Sequence, residues 1–182
     1  MTTLARLHSI DFRQIGLGGF GRAGDYYKRQ MARLEATSRQ QVLPGQVPEL
    51  PHLQELLRWY ASHLPEDMVT IVHGDYKFDN VIFHPTENRI IGVLDWEMST
   101  IGHPFTDVAN MAMPFYHAPG FPPPIASVVD VEGIPTIEAV LQLYCRYAGR
   151  PYPFAGWPFC ISFAFFKVRR AIRDFVAGAP VA

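Results

Sequence analysis

Hydrophobic and polar positions change their period several times along this chain, and each change marks an element. Val69-Thr70-Ile71-Val72, Val81-Ile82-Phe83 and Ile90-Ile91-Gly92-Val93-Leu94 are short β-branched runs that predict strands. His84-Pro85-Thr86-Glu87-Asn88-Arg89, between the last two, is rich in turn formers and predicts a hairpin connection. Elsewhere the period is helical. Asp25 to Gln40 is expected as a helix with Asp25 near its cap. Glu49 to Leu64 is expected as a second, with Leu50, Leu53, Leu56, Leu57 and Tyr60 on one apolar face. A short helix should follow Asp107 through Met113, then a Pro-rich loop from Pro114 to Pro135 that contains Pro122-Pro123-Pro124. Thr136 is expected to cap a helix in which Ile137, Val140, Leu141 and Tyr144 recur at helical spacing. A last helix from Trp157 to Val176 would turn Phe163, Phe166 and Ala171 inward. The expectation is an α+β chain, mostly helical, with one short hairpin.

The polar residues cluster around that hairpin. His73-Gly74-Asp75-Tyr76-Lys77-Phe78-Asp79-Asn80 links the first strand run to the second, and Leu94-Asp95-Trp96-Glu97 follows the third. A loop that leaves one strand and enters a hairpin puts Asn80 and Asp95 at the same end of it, within reach of one metal cluster. Phosphoryl transfer asks a protein for this chemistry: a carboxylate to orient the attacking hydroxyl, and oxygen ligands that hold Mg²⁺ against nucleotide phosphates. In the pattern H-R-D-x-x-x-x-N the Asp faces the acceptor, the Asn reaches a metal, and a second Asp downstream binds Mg²⁺. Asp75, Asn80 and Asp95 have that order and spacing. Alone, an Asp-x-x-x-x-Asn is usually an Asx-turn and a His is usually structural. The ordered co-occurrence of all the parts between strand signals carries the kinase-like reading.

The string His73 to Asn80 with Leu94-Asp95-Trp96-Glu97 resembles the aminoglycoside phosphotransferase and choline kinase group, which carries H-G-D-x-x-x-x-N and an I/L-D-W/F-E triplet. Ser99 to Ala109, containing Gly102-His103-Pro104-Phe105-Thr106-Asp107, extends the match to the group's G-x-P-x-x-D-L-A segment. Val81-Ile82-Phe83-His84-Pro85 and Leu94 to Pro104 resemble, more narrowly, the kinase-like domain of acyl-CoA dehydrogenase family members 10 and 11. The likeness runs from about Leu4 to Val176. It implies a protein kinase-like C-terminal lobe using ATP and Mg²⁺, with Asp75 as catalytic carboxylate and Asn80 and Asp95 as metal and cofactor ligands. Lys77 would touch the transferring phosphoryl group, and His73 would pack under the loop. Glu97 would assist the metal through water or anchor the loop, and Asp107 would hydrogen-bond backbone near it. Tyr116, His117 and the Pro-rich loop become candidates for substrate contact, against the plainer reading of a surface loop stiffened by prolines. The implied partner is a small molecule with a hydroxyl, and a hydroxyacyl-CoA-type metabolite fits the subgroup better than an antibiotic.

A complete enzyme of this kind also has an N-terminal lobe with a phosphate-covering loop and a Lys paired to a helix Glu. Met1 to Asp11 resembles the group's A-x-L-H-x-V-D helix just after the hinge, so residues 1–182 are expected as a single C-terminal lobe, truncated at its N-terminus. Gly16-Leu17-Gly18-Gly19-Phe20-Gly21 satisfies G-x-G-x-x-G, but no strand pattern precedes it and no V-A-I-K-like strand follows. It is expected to be a linker, and Lys28 is not expected to be a nucleotide-binding lysine. A catalytically incomplete kinase-like fragment or scaffold is therefore one alternative function. Its exposed junction, with Tyr60, Phe78 and Trp96 nearby, would favour a homodimer or docking with the absent lobe. Another is a metal-dependent hydrolase built on His73, Asp75, Asp95, His103 and Asp107 around Zn²⁺. That reading leaves Asn80 and Trp96-Glu97 without a role and offers few of the His or Cys ligands that Zn²⁺ prefers.

Composition narrows the partners. The 182 residues are 48% hydrophobic and 18% charged, enough for one real core, and a net charge of −1 supplies no long-range attraction for nucleic acid or anionic membrane. Lys167, Arg169, Arg170 and Arg173 read as a solvated helix face rather than a phosphate site. Cys145 and Cys160 have neither metal-ligand spacing nor a disulfide framework, which suits a reducing compartment. No apolar run is long enough to span a bilayer, and no basic segment precedes an apolar one in the manner of a signal peptide. The expected location is intracellular, first of all cytoplasmic, with mitochondrion and peroxisome left open.

Overall fold

Among the described residues, helical blocks alternate with four short strands. In the computed structural model, which describes residues 1–40, 52–118, 127–129 and 131–176, α1 (Thr2–Ser9), α2 (Tyr26–Gln40) and α3 (Leu53–Ser62) precede the strands β1 (Thr70–Val72), β2 (Val81–Phe83), β3 (Ile90–Val93) and β4 (Thr100–Gly102). The helices α4 (Phe105–Ala112), α5 (Ile137–Tyr147) and α6 (Trp157–Val176) follow. Leu50 and Pro122 to Pro124 lie outside the described residues, as do the side chains of Arg169, Arg170, Ala171 and Arg173.

The strands form two antiparallel pairs, β1 with β4 and β2 with β3. The predicted hairpin is β2–β3, with Val81 opposite Val93 and an irregularity after Ile82. Strand β4 was not anticipated. Thr100-Ile101-Gly102 is too short to show a period, and it becomes a strand only because β1 offers it a ladder, Thr70 opposite Gly102 and Val72 opposite Thr100. Gly102 is required there, since a Cβ would sit 2.8 Å from Val72 Cγ2 and 2.9 Å from the Tyr26 ring. The Gly-rich stretch before α2 is a run of turns with no strand ahead of it, as expected. Its Gly21 lies against β4, where a Cβ would meet Thr100 Oγ1 at 2.5 Å, so this glycine serves packing.

Helix α3 is shorter than the predicted Glu49–Leu64. His52 adopts a left-handed conformation (φ 59°) just before Leu53, which stops a continuous helix from entering. At the other end Pro65 disfavours helical geometry at Leu64. Thr136 caps α5 as predicted, its hydroxyl accepting from the Ala139 amide at 3.3 Å.

The core is organised around α4, whose eight residues are all buried. A helix buried on every side needs neighbours all round it. Phe105 stacks on Phe154 at 3.8 Å, Phe105 and Tyr144 meet edge to face, and α6 lies alongside with Phe159 and Phe163 buried. Tyr60 of α3 closes the cluster, its hydroxyl 3.0 Å from Ser162 Oγ. Among these apolar residues α4 carries three buried polar ones, Thr106, Asp107 and Asn110.

His103, just before α4, is buried and neutral. Its Nε2–H donates to the Glu66 carbonyl at 3.2 Å and its Nδ1 accepts from the Phe105 amide at 3.3 Å. Burial among Tyr27, Phe105 and Phe154 lowers its pKa from 6.5 to about 4. A histidine with a depressed folded-state pKa gives stability that is complete above its unfolded pKa and is lost as pH falls towards the folded one. Unfolding free energy should therefore drop by on the order of 1.4 kcal/mol per pH unit between 6.5 and 4 from this residue. Urea unfolding across that range checks it, and His103→Gln should flatten the slope.

Candidate active site

The loop between β1 and β2 is shaped by its second residue. Gly74 has φ 88°, and a Cβ there would lie 2.3 Å from the Met98 carbonyl oxygen, so glycine alone fits. Beneath the loop, Asp107 reaches up from α4. Its Oδ2 accepts from the His73 amide at 2.7 Å and its Oδ1 from the Gly74 amide at 2.8 Å. Asn110, one turn on, donates to the Gly74 carbonyl at 2.9 Å. Asp107 thus holds two consecutive amides of the loop from below.

His73 is fully buried and bridges the two halves of the site. Its Nε2–H donates to the Leu94 carbonyl at 2.7 Å, so its Nδ1 is free of hydrogen and accepts from the Asp75 amide at 3.3 Å. The ring also lies 4.8 Å from that of Trp96. One histidine therefore fixes the backbone of Asp75 relative to the segment that carries Asp95.

Asp75 and Lys77 are part-exposed and paired, Lys77 Nζ standing 2.8 Å from Asp75 Oδ2. The Asp75 carboxylate raises the Lys77 pKa, and the charges of Asp79 and Asp95 add to the effect. Asn80 is buried at the end of a single turn of tighter helix, Phe78–Asn80. Its Nδ2 donates to the Asp75 carbonyl at 2.9 Å and to Asp75 Oδ2 at 3.1 Å. Both partners are acceptors, so the amide has one orientation and its Oδ1 is left for another ligand. The Leu94 amide donates to the Asn80 carbonyl at 2.8 Å, which extends the β2–β3 ladder and brings Asp95 beside this loop. Asp95 is exposed and left-handed, φ 64°. Such backbone strain at a non-glycine residue concentrates at functional sites.

The remaining candidates are more scattered. Glu97 is exposed in the turn Trp96–Met98. Tyr116 accepts from Trp157 Nε1 at 2.7 Å, and His117 meets the ring of Phe165 at 5.3 Å while its carbonyl accepts from Ser127. These contacts tie Tyr116 and His117 to α6. The ring nitrogens of His73 and His103 and the oxygens of Asp107 are engaged inside the protein. Among the described residues, no three His, Cys, Asp or Glu side chains gather where they could hold a metal ion. Sequence reasoning missed His8. It is buried on α1, and its Nε2 lies 3.2 Å from Asp107 Oδ2; its position in the Leu-His pair of the first helix was the available signal.

A buried carboxylate under a His-Gly-Asp loop, an Asn on the following turn and an Asp across a hairpin define a kinase-like phosphotransferase fold. The comparisons agree. Residues 1–154 match the model of the phosphotransferase enzyme family, to which this chain belongs. It is 38% identical over 175 residues to acyl-CoA dehydrogenase family member 10 of Mus musculus, covering 93% of this chain and 16% of that protein. It is 37% identical over 170 residues to family member 11 of Homo sapiens, covering 91% and 21%. A crystal structure of a putative aminoglycoside phosphotransferase from Ralstonia eutropha JMP134 superposes with a TM-score of 0.82 at 33% identity, covering all of this chain and 56% of that one. A streptomycin–ATP ternary complex of an aminoglycoside phosphotransferase shares the fold, with a TM-score of 0.59 at 16% identity. The chain thus spans about half of the solved structure and roughly a fifth of the larger relatives. No helix among the described residues is long and apolar enough to cross a membrane.

Proposed function

We propose that this chain carries the acceptor-side half of an ATP- and Mg²⁺-dependent phosphotransferase that moves the γ-phosphoryl group to a hydroxyl of a small molecule. The observation that carries this is the fixed Asn80 amide, whose donors are spent on Asp75 and whose oxygen is left beside the hairpin end bearing Asp95. An amide oxygen and a carboxylate form the sparse, all-oxygen set that suits Mg²⁺, which takes one or two protein ligands and completes its shell with phosphates and water. Bound there, the metal would neutralise phosphate charge. Asp75 holds and orients the acceptor hydroxyl, and Lys77 places a positive charge where the phosphoryl group passes.

An apolar cleft of about 270 Å³ opens beside the loop, lined by Tyr76, Lys77, Phe83, Met111, Phe115 and Val140 among others. It supports an acceptor with an apolar portion, such as a hydroxyacyl-CoA-type metabolite, over a polycationic antibiotic. Calorimetry with Mg-ATP tests the central reading. Binding should be weakened at least about tenfold by Asp95→Ala, and an unchanged affinity in that variant would sink the assignment of Asp95.

A second reading concerns completeness. Phe78, Ile82, Phe83, Ile91, Leu94 and Trp96, on and around the hairpin, are all more than 40% exposed, a concentration of apolar surface that calls for a cover. The proposal is that a second body, a further lobe or another copy of the chain, docks on this face and that nucleotide turnover depends on it. The chain on its own is expected to self-associate with rising concentration in light scattering, and Phe83→Asp to shift it towards monomer. A monodisperse wild-type monomer throughout would speak against the docking face.

A further inference from the structure

We propose that Tyr76 selects the acceptor: its phenol donates a hydrogen bond to a neutral carbonyl oxygen on the acceptor's apolar chain, so that the cleft beside the loop prefers a hydroxylated ester or thioester to a plain alcohol. The proposal deepens the phosphotransferase reading and rests on it for what the cleft receives. Tyr76 directly follows Asp75 and is only 5% exposed. Its hydroxyl oxygen is buried without a hydrogen-bond partner, and the residue lines the cleft of about 270 Å³. A buried polar group left unpaired is costly, and native proteins keep few of them. A ligand that supplies the partner removes that cost.

The lining of the cleft narrows what that partner is. Among the described residues that line it, only Tyr76 and Lys77 have side chains with an oxygen or nitrogen; Phe83, Met111, Phe115, Val140 and the rest are apolar. The Lys77 ammonium is committed to Asp75 Oδ2 at 2.8 Å. Burial, with the charge of Asp107 adding to it, pushes the Tyr76 phenol up to about 12, so the phenol keeps its hydrogen and donates. One donor in an apolar wall fits one acceptor. An ester or thioester carbonyl brings an acceptor and no donor of its own. A primary or secondary amide would add an N–H with nothing to receive it, and a carboxylate would bury a charge against a single neutral donor. On the proposed function the reacting hydroxyl goes to Asp75, so the carbonyl is a second, separate oxygen of the acceptor.

The phenol oxygen is closed to water in this structure, so the bond forms as the ring turns toward a ligand already in the cleft. That wall is able to yield, because Lys77 and Phe78, next along the chain, are both exposed. The hydrogen bond is unmade without the ligand and made with it, and this difference between the two states is what biases the ring. A plain alcohol of the same chain fills the apolar cleft equally well but leaves the phenol unpaired. A site with a buried polar group discriminates most strongly against ligands that leave it so.

Calorimetry with methyl 3-hydroxyoctanoate and with 2-heptanol, which has the same alkyl chain and hydroxyl but no ester, tests this without any need for turnover. The wild-type chain should bind the ester about tenfold or more tightly than the alcohol. In Tyr76→Phe, which keeps the ring and loses only the hydroxyl, that preference should vanish. The same variant should unfold in urea at an unchanged or higher midpoint, because the hydroxyl it lost had no partner. Equal binding of the two probes by the wild-type chain, no binding of the ester at millimolar concentration, or a preference that survives in Tyr76→Phe would overturn the proposal. So would a Tyr76→Phe chain that unfolds more easily, since the hydroxyl would then have a structural partner. A Tyr76-dependent preference in a chain that binds no Mg-ATP would defeat the phosphotransferase reading and leave carbonyl recognition standing. Mg-ATP binding without the preference would defeat the recognition alone.

Discussion

Replacing Asp75 by Asn is expected to lower the rate of phosphoryl transfer by about 10²- to 10⁴-fold, with little change in the Michaelis constant for ATP. Asp75 Oδ2 is occupied by Lys77 Nζ and Asn80 Nδ2, at 2.8 Å and 3.1 Å. On the proposed function, the other oxygen would be the one to accept the hydrogen of the incoming hydroxyl. Asparagine keeps the shape but weakens the acceptor and cannot take a proton. It also leaves Lys77 without its ion pair, so the ammonium should lose its raised pKa. Turnover measured with a panel of hydroxyl acceptors, in the presence of the second body proposed to dock on the hairpin face, provides the check, alongside thermal unfolding to show that the fold is retained. Wild-type turnover in the variant would remove Asp75 from the chemistry.

The second large effect is on stability. Asp107→Ala takes the acceptor away from three donors, the buried amide of His73, the part-buried amide of Gly74 and the buried ring of His8. A buried donor left without a partner costs about 1–3 kcal/mol, and breaking a buried charge-assisted set costs about 3–5 kcal/mol. A loss of about 3–5 kcal/mol is expected in urea unfolding, a large share of the about 5–15 kcal/mol that holds a typical domain together. Asp107→Asn should lose less, because one oxygen can still face one amide. A loss below about 1 kcal/mol in the alanine variant would mean that the loop amides find other partners.

The two variants separate what the loop does from what holds it. Asp75 is part-exposed and its replacement leaves the core untouched, whereas Asp107 is wholly buried. One should therefore change rate without stability, and the other stability before anything else. Outside the site, the acid sensitivity expected from His103 has a third origin, the burial of a neutral imidazole.

Much of this protein was legible in its sequence because its signals are local. The hairpin announced itself through two β-branched runs around a turn-rich segment, and β2 and β3 lie where those runs stand. The Thr136 cap and the helix after it follow from one hydroxyl and a helical period. The spacing from Asp75 to Asn80, with Asp95 after the next apolar run, was enough to infer that they share one end of the hairpin, since a two-stranded ladder forces that neighbourhood. The helix before the hairpin was overextended because a left-handed His52 is a matter of backbone conformation that periodicity does not see.

What the sequence determined by itself is the order of elements, the hairpin and the identity of the polar residues brought to its end. Each rests on neighbours a few positions apart. Tertiary structure decided the rest: that β4 exists, because only β1 makes it a strand; that Gly74 and Gly102 are required, because Met98 and Tyr26 approach them from distant segments; and that His8 meets Asp107, because α1 packs against the helices that follow the hairpin. Those contacts join residues far apart along the chain, and no local pattern records which distant partner will satisfy a buried polar group.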